Sequence, residues 1–113
     1  GDAEAIDMRP LGTAMLGTLG EYKQQVDALK RQSRFVEFQI SSLEQQKQQD
    51  VEVLKAELYK LRRSFPKAEE LVVLQQKIAR TEQLYNEKIA VEKASLAGLK
   101  LKVGSLERQY AQN

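Results

Sequence analysis

Lys60-Leu61-Arg62-Arg63-Ser64-Phe65-Pro66-Lys67-Ala68-Glu69-Glu70 is the stretch on which the fold of this 113-residue chain turns. Proline has no N–H and its ring clashes with the preceding turn, at about 3 kcal/mol inside a helix. It is well placed as the first residue of a new helix. The charges agree with a break. Lys60, Arg62 and Arg63 complement the negative end of a helix that stops here, and Glu69 and Glu70 the positive end of one that starts. One feature opposes a sharp reversal: no Gly or Asn is present to take a left-handed cap. The alternative is a continuous helix with a proline kink.

On both sides of this stretch apolar residues recur at spacings of three and four, the mark of a coiled-coil seam. The first block is Leu19, Tyr22, Val26, Leu29, Ser33, Val36, Ile40 and Leu43, and the second is Val51, Leu54, Leu58, Leu61 and Phe65. Beyond the proline come Leu71, Leu74, Ile78, Thr81 and Tyr85, then Ile89, Glu92, Leu96, Leu99, Val103, Leu106 and Tyr110. Of these 25 positions 22 are apolar, in a chain that is 42% hydrophobic overall, so the pattern is not chance. Polar residues within a seam, here Ser33, Thr81 and Glu92, can fix register at a cost in stability.

The blocks do not share one register. The wholly polar run Glu44 to Asp50 and the step from Tyr85 to Ile89 each insert four residues. Such stutters unwind a supercoil locally without ending the helix. The Gln-rich run favours helix, so the first helix is expected to continue through it. A reversal near Pro66 leaves arms of nearly equal length, Leu19 to Arg63 and Pro66 to Tyr110. It also places Lys47 opposite the Tyr85–Ile89 step. At 1.5 Å per residue each arm would be roughly 65 to 70 Å long, against about 140 Å for an unbroken helix.

The expected architecture is therefore all-α: an antiparallel coiled-coil hairpin with helix 1 at about 19–63, a turn at about 64–66 and helix 2 at about 66–111. Residues 1–18 hold Pro10 and the glycines at 1, 12 and 17, and read as a flexible or docking segment. Two helices sharing one seam make a thin core. Phe35, Phe38, Val53, Val72, Val73, Leu84, Val91 and Leu101 lie off that seam. A hairpin that leaves them exposed is expected to self-associate into a helical bundle or to join a larger assembly.

Composition narrows the function. There is no Cys, His or Trp, and 18 basic residues stand against 16 acidic ones. Disulfides, Cys/His metal sites and histidine-based nucleophile activation are excluded. A net charge of +2 is not that of a nucleic-acid polycation. No apolar run approaches the roughly 18 residues of a membrane span. Gly98 and Gly104 continue the heptad and read as points of close helix approach or bending, not as a phosphate loop. No enzyme activity, cofactor, metal or small-molecule substrate is expected. The sequence begins at Gly1, so a fragment or processed form is expected.

The candidate partner-binding residues are Lys60, Arg62, Arg63, Phe65 and Lys67, a basic knob with an apolar centre at the hairpin tip. The plainer reading is dipole capping, with Phe65 closing the core. Leu61-Arg62-Arg63-Ser64-Phe65-Pro66, followed by Leu71, Leu74 and Ile78, loosely resembles the coiled-coil hairpins of bacterial envelope proteins, including polysaccharide co-polymerases and secretion adaptors. The long helices with basic patches also loosely resemble BAR-type domains, which need a longer chain. No residue roles transfer from either. The expected function is a structural scaffold or adaptor acting through protein–protein contacts, with a homo-oligomer as first partner. The alternative is a peripheral module that binds anionic membrane or nucleic acid through the basic tip.

Overall fold

The computed structural model describes residues 8–112, with side chains from residue 19 to residue 111. The architecture is all-α, an antiparallel hairpin of two long helices, with no strand among the described residues. Helix α1 is Met8–Arg63 and helix α2 is Ala68–Gln112. Helix α1 starts well before residue 19. Pro10 falls in its first turn, where a missing N–H costs nothing because no acceptor lies behind it. The flexible or docking segment expected at residues 1–18 thus overlaps α1 from Met8 onward, and its first seven residues lie outside the described part.

The turn occupies residues 64–67. The backbone N–H of Ser64 donates to the Leu61 carbonyl at 3.0 Å, and the Ser64 hydroxyl donates to the same oxygen at 2.7 Å. Two donors thus satisfy one carbonyl that the ending helix leaves free. The reversal then needs a left-handed residue, and Phe65 supplies it at φ 52°. Helix α2 begins two residues after Pro66, later than expected. The Lys67 carbonyl takes its first bonds, from Glu70 N–H at 3.0 Å and Leu71 N–H at 3.4 Å. Lys67 is therefore the N-cap, and Pro66 lies one residue outside α2 instead of opening it.

Contacts divide the chain into two units. Phe35–Leu96 holds the turn, and Gly1–Arg34 with Ala97–Asn113 holds the two ends. In the turn unit Val51, Leu54 and Ile78 form a buried cluster, with Leu58 and Leu74 packed against it. Val36, Ile40 and Ile89 are the other buried apolar residues. Across the seam the pairs run in opposite directions along the chain: Glu44 meets Lys93, Lys47 meets Asn86 and Asp50 meets Tyr85. Helix α1 is unbroken through the polar run, and the half-buried Lys47 donates to Asn86 Oδ1 at 2.7 Å. The two irregular stretches therefore face and satisfy each other.

In the unit of the chain ends, Tyr22 donates to Gln109 at 3.2 Å and Lys30 pairs with Glu107 at 3.2 Å. Here Leu19, Tyr22, Val26, Leu29, Leu99, Val103 and Leu106 are half-buried. Ser33 is buried, and its hydroxyl donates back to the Leu29 carbonyl at 2.9 Å. That bond leaves no orphaned polar group at a seam position. No described side chain in either unit is fully buried, as two helices cannot enclose a residue on every side.

Two seam assignments need correction. Phe65 is 97% exposed, because the left-handed turn swings it out of the α1 helical path. Tyr110 borders a groove with Leu19, Tyr22 and Val26, yet stays 49% exposed near the end of α2. Gly98 is not a point of close helix approach, since a Cβ there would meet nothing within 4 Å; the nearest atom to one at Gly104 is an Arg108 guanidinium nitrogen at 3.9 Å.

Candidate interaction surfaces

The turn gathers the five tip residues that the sequence singled out. Lys60, Arg62, Arg63, Phe65 and Lys67 are all exposed. The Arg63 guanidinium lies over the Tyr59 ring at 4.4 Å and donates to its hydroxyl at 2.6 Å. The i,i+4 spacing brings Tyr59 and Arg63 together on one face, a signal present in the sequence but not read there. Among the described residues, no hydrogen bond or ion pair engages the side chains of Lys60, Arg62 or Lys67.

A second surface runs along the turn unit. At about 100° per residue from the seam, Phe35, Phe38 and Val53 fall on one flank of α1. By the same construction Val73, Leu84 and Val91 fall on one flank of α2. Two observations place these flanks on the same side of the hairpin. Phe35, Phe38 and Ser42 share an open groove with Lys88 and Glu92, and Asp50 bonds Tyr85 across this side. The six apolar residues are between 53% and 71% exposed. Val72 falls on the other flank of α2, and Leu101 belongs to the other unit.

The opposite side of the turn unit has different chemistry. Its groove is lined by Glu44, Lys47, Glu52, Lys55, Glu82 and Lys93. Lys93 and Glu44 sit 3.8 Å apart with both side chains more than half exposed, a pair worth little in water. The turn unit is thus sided: one flank pair is lined mostly by charged residues, and the other gathers the exposed apolar residues, with Asp50, Lys88 and Glu92 among them. The eight off-seam apolar residues were visible in the sequence. Their sidedness was not, because it depends on how the two helices are rotated against each other.

Among titratable groups, Tyr85 is pushed above its ordinary value of 10.0. Its hydrogen bond to Asp50 is the main cause, followed by lost solvation and the nearby carboxylate charge. Lys88 stands 5.7 Å from the centre of the same ring. No group of three or more acidic residues that could hold a metal ion occurs among the described residues, and no described helix is long and apolar enough to cross a membrane. No family model, curated protein or solved structure matches the chain.

Proposed function

We propose that this chain is a non-catalytic coiled-coil scaffold that assembles with a second copy of itself through the apolar side of its turn unit. The observation that carries the reading is the collection of Phe35, Phe38, Val53, Val73, Leu84 and Val91 on one side, all exposed. Their combined exposed surface, spread along the length of the turn unit, is on the order of 600 Å². A standard interface buries about 800 Å² per partner. The stems of intervening Lys and Gln side chains make up the difference. Two hairpins stacked on this side form a four-helix bundle, and the thin seam of each becomes part of a thicker core.

Charge supports the same choice of side. The flank opposite is crowded with both signs of charge and would be expensive to desolvate. The apolar side carries Gln39, Ser42, Gln46 and Gln49 between its hydrophobic positions, groups that desolvate at lower cost. Its charges are fewer, with Asp50 engaged by Tyr85, and Lys88 and Glu92 lining the groove beside Phe35 and Phe38.

Light scattering after gel filtration tests the proposal. The expected mass is twice 12.9 kDa, and Phe35→Lys with Phe38→Lys should return the monomer with helicity intact. Both phenylalanines are mostly exposed, so the double variant removes little from the hairpin's own core. A wild-type mass of 12.9 kDa that holds as concentration rises would sink the self-assembly reading.

A further inference from the structure

Phe65 contributes nothing to the core that is visible in its burial. It is 97% exposed, more than any other large apolar residue described, and adopts a backbone conformation that L residues rarely take and achiral glycine takes freely. A residue serving only the turn would be Gly or Asn. Here an aromatic side chain occupies the strained position and is held outward by it. A strained residue at an exposed apex is a reason to look for a binding role there.

The charges around it are of one sign. Residues 60–67 hold four cations and no acid. Lys60, Arg62 and Arg63 fan around the outward half of the last turn of α1, and Lys67 sits just before α2. Arg63 is held at the tip by the Tyr59 ring face and hydroxyl, and not by a carboxylate. The acids nearest in sequence are Glu57, inside α1, and Glu69 and Glu70, in the first turn of α2.

We propose that the turn is a contact for anionic membrane surfaces. Phe65 enters the headgroup layer while Lys60, Arg62, Arg63 and Lys67 lie against the lipid charges. A convex apolar apex flanked by cations suits a deformable surface, which needs no preformed cavity. Interfacial anchoring combines the same two elements: an apolar group that leaves water and basic groups that stay at the charged boundary. The proposal does not depend on self-assembly, although Lys60, one heptad beyond Val53, falls on the same flank of α1 as the apolar side.

Each cation near such a surface strengthens partitioning about fivefold. Withdrawing a phenylalanine ring from water adds roughly tenfold. The test is co-sedimentation of the full chain with phosphatidylcholine vesicles, with and without phosphatidylserine, at low and at physiological salt. The expected result is binding that requires phosphatidylserine and weakens with salt. Arg62→Glu with Arg63→Glu should weaken it about 25-fold or more. Phe65→Gly should weaken it roughly tenfold, with helicity by circular dichroism unchanged in both variants. Equal binding to both vesicle types, or wild-type binding by the Arg62→Glu/Arg63→Glu variant, would overturn the proposal. So would binding to a DNA oligonucleotide matching that to the anionic vesicles and indifferent to Phe65→Gly, which would mark the tip as a general polyanion site.

Discussion

Replacing Phe65 by glycine should make this protein more stable, although it removes an aromatic residue. The native φ of 52° costs a non-glycine residue about 1–2 kcal/mol, from crowding between Cβ and the following carbonyl. Glycine has no Cβ and takes that conformation freely. Against this stands the greater freedom of glycine in the unfolded chain, worth about 0.5–1 kcal/mol. Burial offers no further penalty, since Phe65 is 97% exposed. The balance is a gain of about 0.5–1 kcal/mol, or a rise of a few degrees in Tm for a chain of this size. Helical signal at 222 nm, followed on heating at one fixed protein concentration, measures it. The concentration must be matched because self-association would itself move Tm. Phe65→Asn should fall between wild type and glycine, as Asn tolerates the left-handed region better than Phe. A lower Tm for Phe65→Gly would refute the reasoning, because it would mean that the ring makes stabilising contacts.

Four further outcomes follow from the same geometry. Leu54→Ala should cost about 2–3 kcal/mol in urea denaturation, at the lower end for a core leucine because a two-helix seam lets solvent reach the cavity. Gly98→Ala should stabilise by about 0.5–1 kcal/mol, since the site lies inside α2 and a Cβ there meets nothing within 4 Å; a loss of stability would show that another chain packs against it. Tyr85 has a raised folded pKa, so its stabilising bond to Asp50 is present below pH 10.0 and is lost as pH climbs through the higher folded value. The phenolate absorbance difference between wild type and Tyr85→Phe should therefore have its midpoint above 10.0, and a midpoint at or below that value contradicts the bond. Hydrogen exchange should be faster at the helical amides of residues 19–32 and 99–111 than at those of 36–58 and 74–89, because every buried apolar side chain described lies in the turn unit; uniform protection would argue otherwise.

Much of this architecture was legible in the residues. The alternation of threes and fours identified the buried stripe of each helix, because a helix repeats every 3.6 residues whatever it packs against. Pro66 located the reversal for an equally local reason. The position of Phe65 was harder to read, since its seam spacing from Leu61 holds only while the helix continues, and the helix ends at Arg63. The missing glycine seemed to count against a sharp turn. A strained phenylalanine makes that turn instead, and sequence propensity gives no sign of such an exception. Tyr59 with Arg63 was within reach of an i,i+4 reading, whereas Asp50 with Tyr85 required knowing the register across the seam.

The sequence by itself determined that this chain is helical and where its apolar stripes lie, and it marked Pro66 as the place of a break or a kink. These follow from local backbone preferences and from a periodicity that each helix carries alone. The tertiary structure decided what depends on two helices at once. It set Lys47 against Asn86 and Asp50 against Tyr85, and it brought the off-seam residues Phe35, Phe38, Leu84 and Val91 to one side. It also turned Phe65 from a seam residue into an exposed apex. Register and rotation between helices are fixed by the packing of both seams together, a quantity that neither helix encodes separately.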